Sequence, residues 1–254
     1  MTKVPRSPRS YARRVADSAQ NVERRISTRR ERRRAATPRR PLWIVAILGY
    51  VVALGFGVGY GQYIKAHGDW ATGTEWERGL MMRFHQRLPE WLDTTLYYVP
   101  WAGTNLTLGP LVALAAAWLW WRGRRDLAIW IGVVEVGCLS LNYLIKKMLG
   151  RPRPELWERR GWFGWDAYPS GHVMAATAVL LTIAFILHHE RGWRWPFFVA
   201  GIFPPVIGYS RLYDGVHWPT DIIGGAVVGA IWLIATLIAF AGAPRMRRRS
   251  EGRL

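Results

Sequence analysis

The run Tyr209-Ser210-Arg211-Leu212-Tyr213-Asp214-Gly215-Val216-His217-Trp218-Pro219-Thr220-Asp221 sets an arginine six residues before a histidine and a carboxylate four residues after it. The apolar stretch from Ile222 to Phe240 suggests a helix from Trp218 onward, which would put His217 and Asp221 one turn apart near its N-terminus. A carboxylate so placed accepts a hydrogen bond from one imidazole nitrogen. That fixes the tautomer and leaves the other nitrogen a better nucleophile or base. Arg211, expected in a short loop, offers a planar fork of donors matched to a phosphate or carboxylate. A His-x-x-x-Asp spacing alone is common and usually structural, so its meaning depends on what the rest of the chain brings to it.

Two more stretches supply what it lacks. Lys146-Lys147-Met148-Leu149-Gly150-Arg151-Pro152-Arg153-Pro154 closes an apolar span with four cations, and Pro169-Ser170-Gly171-His172 opens the next with a hydroxyl, a glycine and a second histidine. Lysine, arginines, serine, a helix N-terminus and two histidines are the inventory of a phosphoryl-transfer site. Lys146 is followed after six residues by Arg153-Pro154; Pro169-Ser170-Gly171-His172 comes next; Ser210-Arg211, five residues, His217, three residues and Asp221 complete the set. In this order the three stretches resemble the signatures of the type-2 phosphatidic acid phosphatase family. The resemblance runs from roughly Glu75 to Ala241 and does not reach the N-terminal tail.

The resemblance implies a role for each matched residue. His217 would attack phosphorus to give a phosphohistidine, and Asp221 would hold its second ring nitrogen. His172 would protonate the leaving oxygen and then activate water. Lys146, Arg153, Ser170 and Arg211, with the Gly171 backbone N–H, would cradle the phosphoryl oxygens. No metal and no cofactor is expected, because fixed cations take the place of magnesium. Lys147 and Arg151 miss the family spacing and are expected in supporting roles at most; Tyr213 and Asp214 read as loop shape. A membrane lipid phosphate or a prenyl diphosphate is the expected substrate, with undecaprenyl diphosphate, phosphatidate and phosphatidylglycerophosphate unseparated. A lipid phosphotransferase using the same site remains open, as does a catalytically inactive scaffold or lipid-binding protein. A vanadate-dependent haloperoxidase would share the signatures but not the membrane spans.

The elements that must position these residues follow from the apolar pattern. Half of the 254 residues are hydrophobic, and the charges fall in short bands between long apolar runs, the layout of a polytopic all-α membrane protein. Six transmembrane helices are expected, at about 41–63, 104–121, 127–149, 170–188, 195–209 and 218–240. The fifth is short and carries Pro204-Pro205, so it should kink or lie buried in protein. Between the first two, apolar residues around Leu80, Phe84, Leu88 and Leu92 suggest an extracytoplasmic amphipathic segment of one or two helices. Glu135, Asn142 and Lys146 share one helical face, which aims Lys146 into the bundle; a carboxyl group at the depth of Glu135 should face the interior. Gly57-x-x-x-Gly61 and Gly225-x-x-x-Gly229 are close-packing faces. Trp157, Trp162, Phe163 and Trp165 suit the interface. His67 and His85 read as solvated, and His188-His189 lacks a third ligand for a metal.

The net charge of +18 is concentrated at the ends. Residues 1–40 carry 14 Lys/Arg against three acids, and residues 242–254 carry five arginines against Glu251. The first tail reads as disordered and the chain as three parts: a basic cytoplasmic tail 1–40, a membrane domain 41–241 and a basic cytoplasmic tail 242–254. Both tails should be drawn to anionic lipid headgroups, and no nucleic acid is expected, because aromatics are not interleaved with the cations. With both termini inside the cell membrane, Arg122–Arg125 and His188–Arg194 also fall inside. All three signature stretches then meet at the extracytoplasmic face. The single cysteine, Cys138, permits no intrachain disulfide.

Overall fold

Long apolar runs punctuated by glycine and charge fold here into helices and nothing longer than a single β-bridge among the described residues, which in this computed structural model are 42–85, 88–159, 164 and 166–241. In chain order they are α1 Leu42–His67, α2 Glu75–Phe84, α3 Glu90–Tyr98, a 3-10 turn Val99–Gly103, α4 Asn105–Trp121, α5 Arg125–Leu149, α6 Gly171–Arg191, α7 Trp195–Tyr213 and α8 Pro219–Ala241. Both basic tails, and Trp162, Phe163 and Trp165, lie outside the described residues.

Four helical stretches are long and apolar enough to cross a membrane: Trp43–His67, Arg125–Leu149, Gly171–Arg191 and Pro219–Phe240. A bent pair, Glu90–Gly103 and Leu106–Trp121, meets at 46° and makes a fifth if taken as one span. Helix α7, 19 residues long with Pro204 and Pro205 inside it, is not among them. The segment between α1 and α4 does hold two short helices, α2 and α3.

The bundle core is aliphatic and aromatic, with Trp130, Ile131, Val134, Leu141 and Ile145 of α5 packed with Met174, Ala178 and Val179 of α6 and with Val228, Trp232 and Leu233 of α8. Outward faces are apolar too: Trp43, Ile47, Leu48, Val51 and Val52 of α1 are exposed, as are Leu114, Val136 and Ile238. A surface of this kind is stable against lipid tails, not against water. Hydrogen bonds tie the helices across the core, from Trp232 Nε1 to the Val134 carbonyl at 3.0 Å and from Tyr50 to Ser140 at 2.8 Å. Glu135 does face the interior and is 5% exposed.

Both small-residue faces are used. A Cβ on Gly57 would stand 2.5 Å from Ile145 and one on Gly61 2.4 Å from Leu149, so α1 lies hard against α5. On α8, a Cβ on Gly225 would stand 2.4 Å from the Ser170 carbonyl and one on Gly229 2.6 Å from that of Met174. The second face therefore seats the start of α6 on the start of α8. At the opposite end, Arg124 pairs with Asp126 at 3.7 Å and with Glu190, joining the α4–α5 turn to the close of α6.

Candidate active site

Four chain segments meet at one end of the bundle, and simple local rules bring each there. Helix α5 stops at Gly150, whose φ of 60° is open to glycine at little steric expense. The chain then doubles back through a bridge between Pro152 and Asp166, with the Ala167 N–H donating to the Arg151 carbonyl at 2.7 Å. Ser170 caps α6, and its N–H donates to the Asp221 carbonyl at 3.0 Å. Helix α7 runs on past its prolines to Tyr213, so Ser210 and Arg211 stand on its last turn rather than in the loop expected. Gly215, at φ 66°, turns the chain toward α8. Every residue from Ser210 to Asp221 is buried.

His217 lies two residues ahead of α8, not within it, with Nδ1 3.5 Å from Asp221 Oδ2. That is longer than a hydrogen bond; the same oxygen accepts the Trp218 backbone N–H at 2.7 Å. Burial first, then Arg153, Lys146, His172 and Arg211, hold the His217 imidazole well below its usual value. It is therefore neutral at physiological pH, the state a nucleophile requires. Those four side chains lie close enough for their charges to act on its ring, so the structure brings Lys146, Arg153, His172, Arg211, His217 and Asp221 together.

Each cation is steered by nearby oxygens. Lys146 Nζ donates to the carbonyls of Asp166 at 2.6 Å and Ala167 at 3.3 Å. Arg153 donates to the carbonyls of Gly164 and Val216; burial pulls it down to about 10, which leaves it cationic. Arg211 pairs with Asp214 at 2.5 Å. Asp214 thus does more than shape a loop: it neutralises and orients a matched arginine. The Ser170 hydroxyl is fully buried and has no hydrogen-bond partner among the described residues. Buried hydroxyls usually have a partner, so this one is a departure from the rule. Gly171, the first residue of α6, packs against Asn142, whose Nδ2 donates to the Pro169 carbonyl at 3.2 Å.

The largest departure from expectation concerns Arg151. It is fully buried and donates to Asp221 Oδ1 at 2.8 Å, Thr220 Oγ1 at 2.6 Å, the Trp70 carbonyl at 3.1 Å and both oxygens of Glu77 at 3.2 and 3.4 Å. Its guanidinium lies over both the Trp70 and the Trp218 ring, 5.2 and 5.4 Å from their centroids. Thr220 Oγ1 in turn donates to Glu77 Oε1 at 2.6 Å. Burial alone would raise the Glu77 carboxyl; Arg151 and the Thr220 and Thr74 contacts outweigh it and hold the group below its ordinary value. Sequence spacing could not reveal this, because Glu77 is 74 residues from Arg151. The one local signal is Thr74-Glu75-Trp76-Glu77, a capping box that starts α2. His85 is exposed, as expected, and also stacks on Trp157 at 3.9 Å. Among the described residues, no three His, Cys, Asp or Glu side chains cluster as a metal site would require.

Comparison with known proteins meets this geometry. The PAP2 superfamily profile matches residues 127–245, which include all eight residues singled out by spacing. Residues 127–245 belong to the PAP2 superfamily. The chain is 29% identical over 147 residues to phosphatidylglycerophosphatase B of Bacillus subtilis, covering 56% of this chain and 71% of the relative. It is 30% identical over 123 residues to undecaprenyl-diphosphatase BcrC of Bacillus subtilis, covering 46% of this chain and 61% of the relative. A transmembrane PAP2-type phosphatidylglycerolphosphate phosphatase from Bacillus subtilis has the same fold, with a TM-score of 0.63 at 23% identity over 74% of this chain and 93% of its own. The helical PAP2 fold of this membrane protein is thereby established, and its named relatives are lipid phosphatases.

Proposed function

We propose that this chain is a membrane lipid phosphate phosphatase that cleaves a phosphomonoester or the terminal phosphate of a prenyl diphosphate through a phosphohistidine on His217. The convergence of two imidazoles, three cations and the unpartnered Ser170 hydroxyl from separate chain stretches carries this reading. His217 attacks phosphorus in line, with Asp221 behind its other ring nitrogen. His172 protonates the leaving oxygen and then activates water for the second step. Lys146, Arg153, Ser170, Arg211 and the Gly171 N–H stabilise the equatorial oxygens, where charge develops in the transition state. Fixed cations perform that task without a metal ion.

Six spans are proposed: α1, α4, α5, α6, α7 and α8, with both termini cytoplasmic and α2 and α3 in the extracytoplasmic headgroup region. The charge bands support this orientation, because Arg122–Arg125 and His188–Arg194 lie at the end opposite the site. Residues 41–241 form the membrane domain, and the basic tails 1–40 and 242–254 face anionic lipid. A polar site at headgroup depth, reached from among apolar helices, suits an amphiphile whose phosphate sits at that level. The names of the relatives favour phosphatidylglycerophosphate or undecaprenyl diphosphate within that class.

The test is phosphate release by the purified protein in detergent containing EDTA, across lipid mono- and diphosphates. Release that persists with chelator is expected. Loss of activity with EDTA, restored by a divalent cation, would overturn the metal-free mechanism. Phosphoryl transfer to an added lipid alcohol in place of water would reassign the chain as a phosphotransferase.

A further inference from the structure

The Arg151 guanidinium has five N–H donors, and the structure gives it five hydrogen bonds: one to Trp70, one to Thr220, one to Asp221 and two to Glu77. None remains to meet a phosphate. Arg151 also misses the spacing of the matched arginine, Arg153, two residues on. A cation that is fully buried beside the site but saturated by protein must act on the protein. Its closest charged partner is the carboxylate that faces the His217 ring.

We propose that Glu77 and Arg151 are positioning residues for the His217–Asp221 pair, and that the segment Trp70–Glu77 is a working part of the active site. This rests on the phosphohistidine reading above. Asp221 has two oxygens with separate tasks. Arg151 fixes Oδ1, which sets the plane of the carboxylate and leaves Oδ2 to the Trp218 N–H and the His217 ring. Glu77 performs the equivalent service one step back. It balances the buried guanidinium, holds its Nη2 edge, and takes the Thr220 hydroxyl that Arg151 also grips. An unbalanced buried guanidinium would draw Asp221 more strongly to itself and away from the imidazole.

The placement of Glu77 gives the device its interest. It stands on α2, outside residues 127–245, and enters the site from the segment between the first two proposed spans. That segment is pressed onto the catalytic loop at three points. Trp70 accepts from Arg151, Gly73 abuts the Trp218 ring, and Glu77 meets Thr220. The same helix carries exposed Trp76 and Met82, suited to the headgroup boundary. How α2 sits on the membrane thus bears directly on the geometry of the nucleophile.

The experiment is a double-mutant cycle on the full chain in detergent, using Glu77→Gln, Asp221→Asn and the double variant, with kcat and KM for one lipid monophosphate. Glu77→Gln is expected to lower kcat by about ten- to a hundredfold while KM moves less than about twofold, and to have little further effect once Asp221 is Asn. A risen KM with unchanged kcat, or a Glu77→Gln loss of equal size in both backgrounds, would overturn the positioning role. The ring state of His217 is read without turnover by 15N NMR of histidine-labelled protein, with His217→Ala giving the assignment. A single Nδ1–H tautomer in the wild type that becomes mixed in Glu77→Gln supports the device even if no substrate is turned over. An identical ring state in both proteins contradicts it. A wild-type chain that releases phosphate from no lipid would instead count against the phosphatase reading alone.

Discussion

The two sides of His217 are built by opposite rules. On the Asp221 side, Arg151, Glu77 and Thr220 are buried and bonded to one another through short, mutually consistent contacts. On the other side, the Ser170 hydroxyl is as deeply buried and has no partner among the described residues, and the surrounding Lys146, Arg153 and Arg211 are steered by backbone carbonyls and one carboxylate. Burial without satisfaction is unfavourable unless a ligand completes it, whereas burial with full satisfaction makes a rigid frame. On the proposed mechanism, the bonded side is the scaffold behind the imidazole and the other side receives the oxyanion that it attacks.

That division can be broken experimentally. The largest effect is expected at its centre, where His217→Ala should lower phosphate release by about 10⁴-fold or more. Next in size is the receptor side: Arg211→Ala or Arg153→Ala should reduce kcat by about 10²–10³-fold, the range for removing one preorganised donor. Ser170→Ala and Thr220→Val then sharpen the comparison. Ser170→Ala should lower activity by about tenfold with the unfolding temperature unchanged, because its hydroxyl bonds none of the described residues. Thr220→Val should destabilise the protein by about 1–3 kcal/mol, since it strands an Arg151 donor and removes the shortest contact of Glu77 Oε1. Equal melting temperatures for the two variants would erase the distinction.

The smallest effect is the pH dependence of stability. The Glu77 carboxyl is depressed in the folded protein from an ordinary value of 4.5, so its stabilisation is complete above that pH and is lost as pH falls through the folded value. His217 is depressed from 6.5, so the unfolded chain gains a proton there first and stability begins to fall below about that pH. Thermal unfolding in detergent from pH 7 to pH 3 should show both phases, and Glu77→Gln should flatten only the lower one.

Much of this was legible in the sequence, for a definite reason. Lys146, Arg153, Ser170, Gly171, His172, Arg211, His217 and Asp221 sit at short fixed spacings on helix ends, and the helix ends themselves follow from apolar length and glycine. The glycine faces were equally readable, and Gly225 and Gly229 do seat α6 on α8. Spacing was silent wherever a partner came from a distant segment. By spacing Arg151 is a neighbour out of register, and its partner Glu77 lies 74 residues away; by spacing Asp214 is loop, whereas the structure pairs it with Arg211. Local pattern also misplaced Arg211, because α7 runs on to Tyr213, past the end expected at Tyr209.

The central claim is that His217 becomes covalently phosphorylated within this receptor. It is tested most directly by rapid acid-free quenching of the purified protein during turnover of a lipid labelled in its terminal phosphate, followed by peptide mapping. An alkali-stable, acid-labile phosphoryl group on the peptide containing His217, absent from His217→Ala, is the expected result. Product accumulating with no labelled protein at any quench time, or label on any other residue, would contradict it.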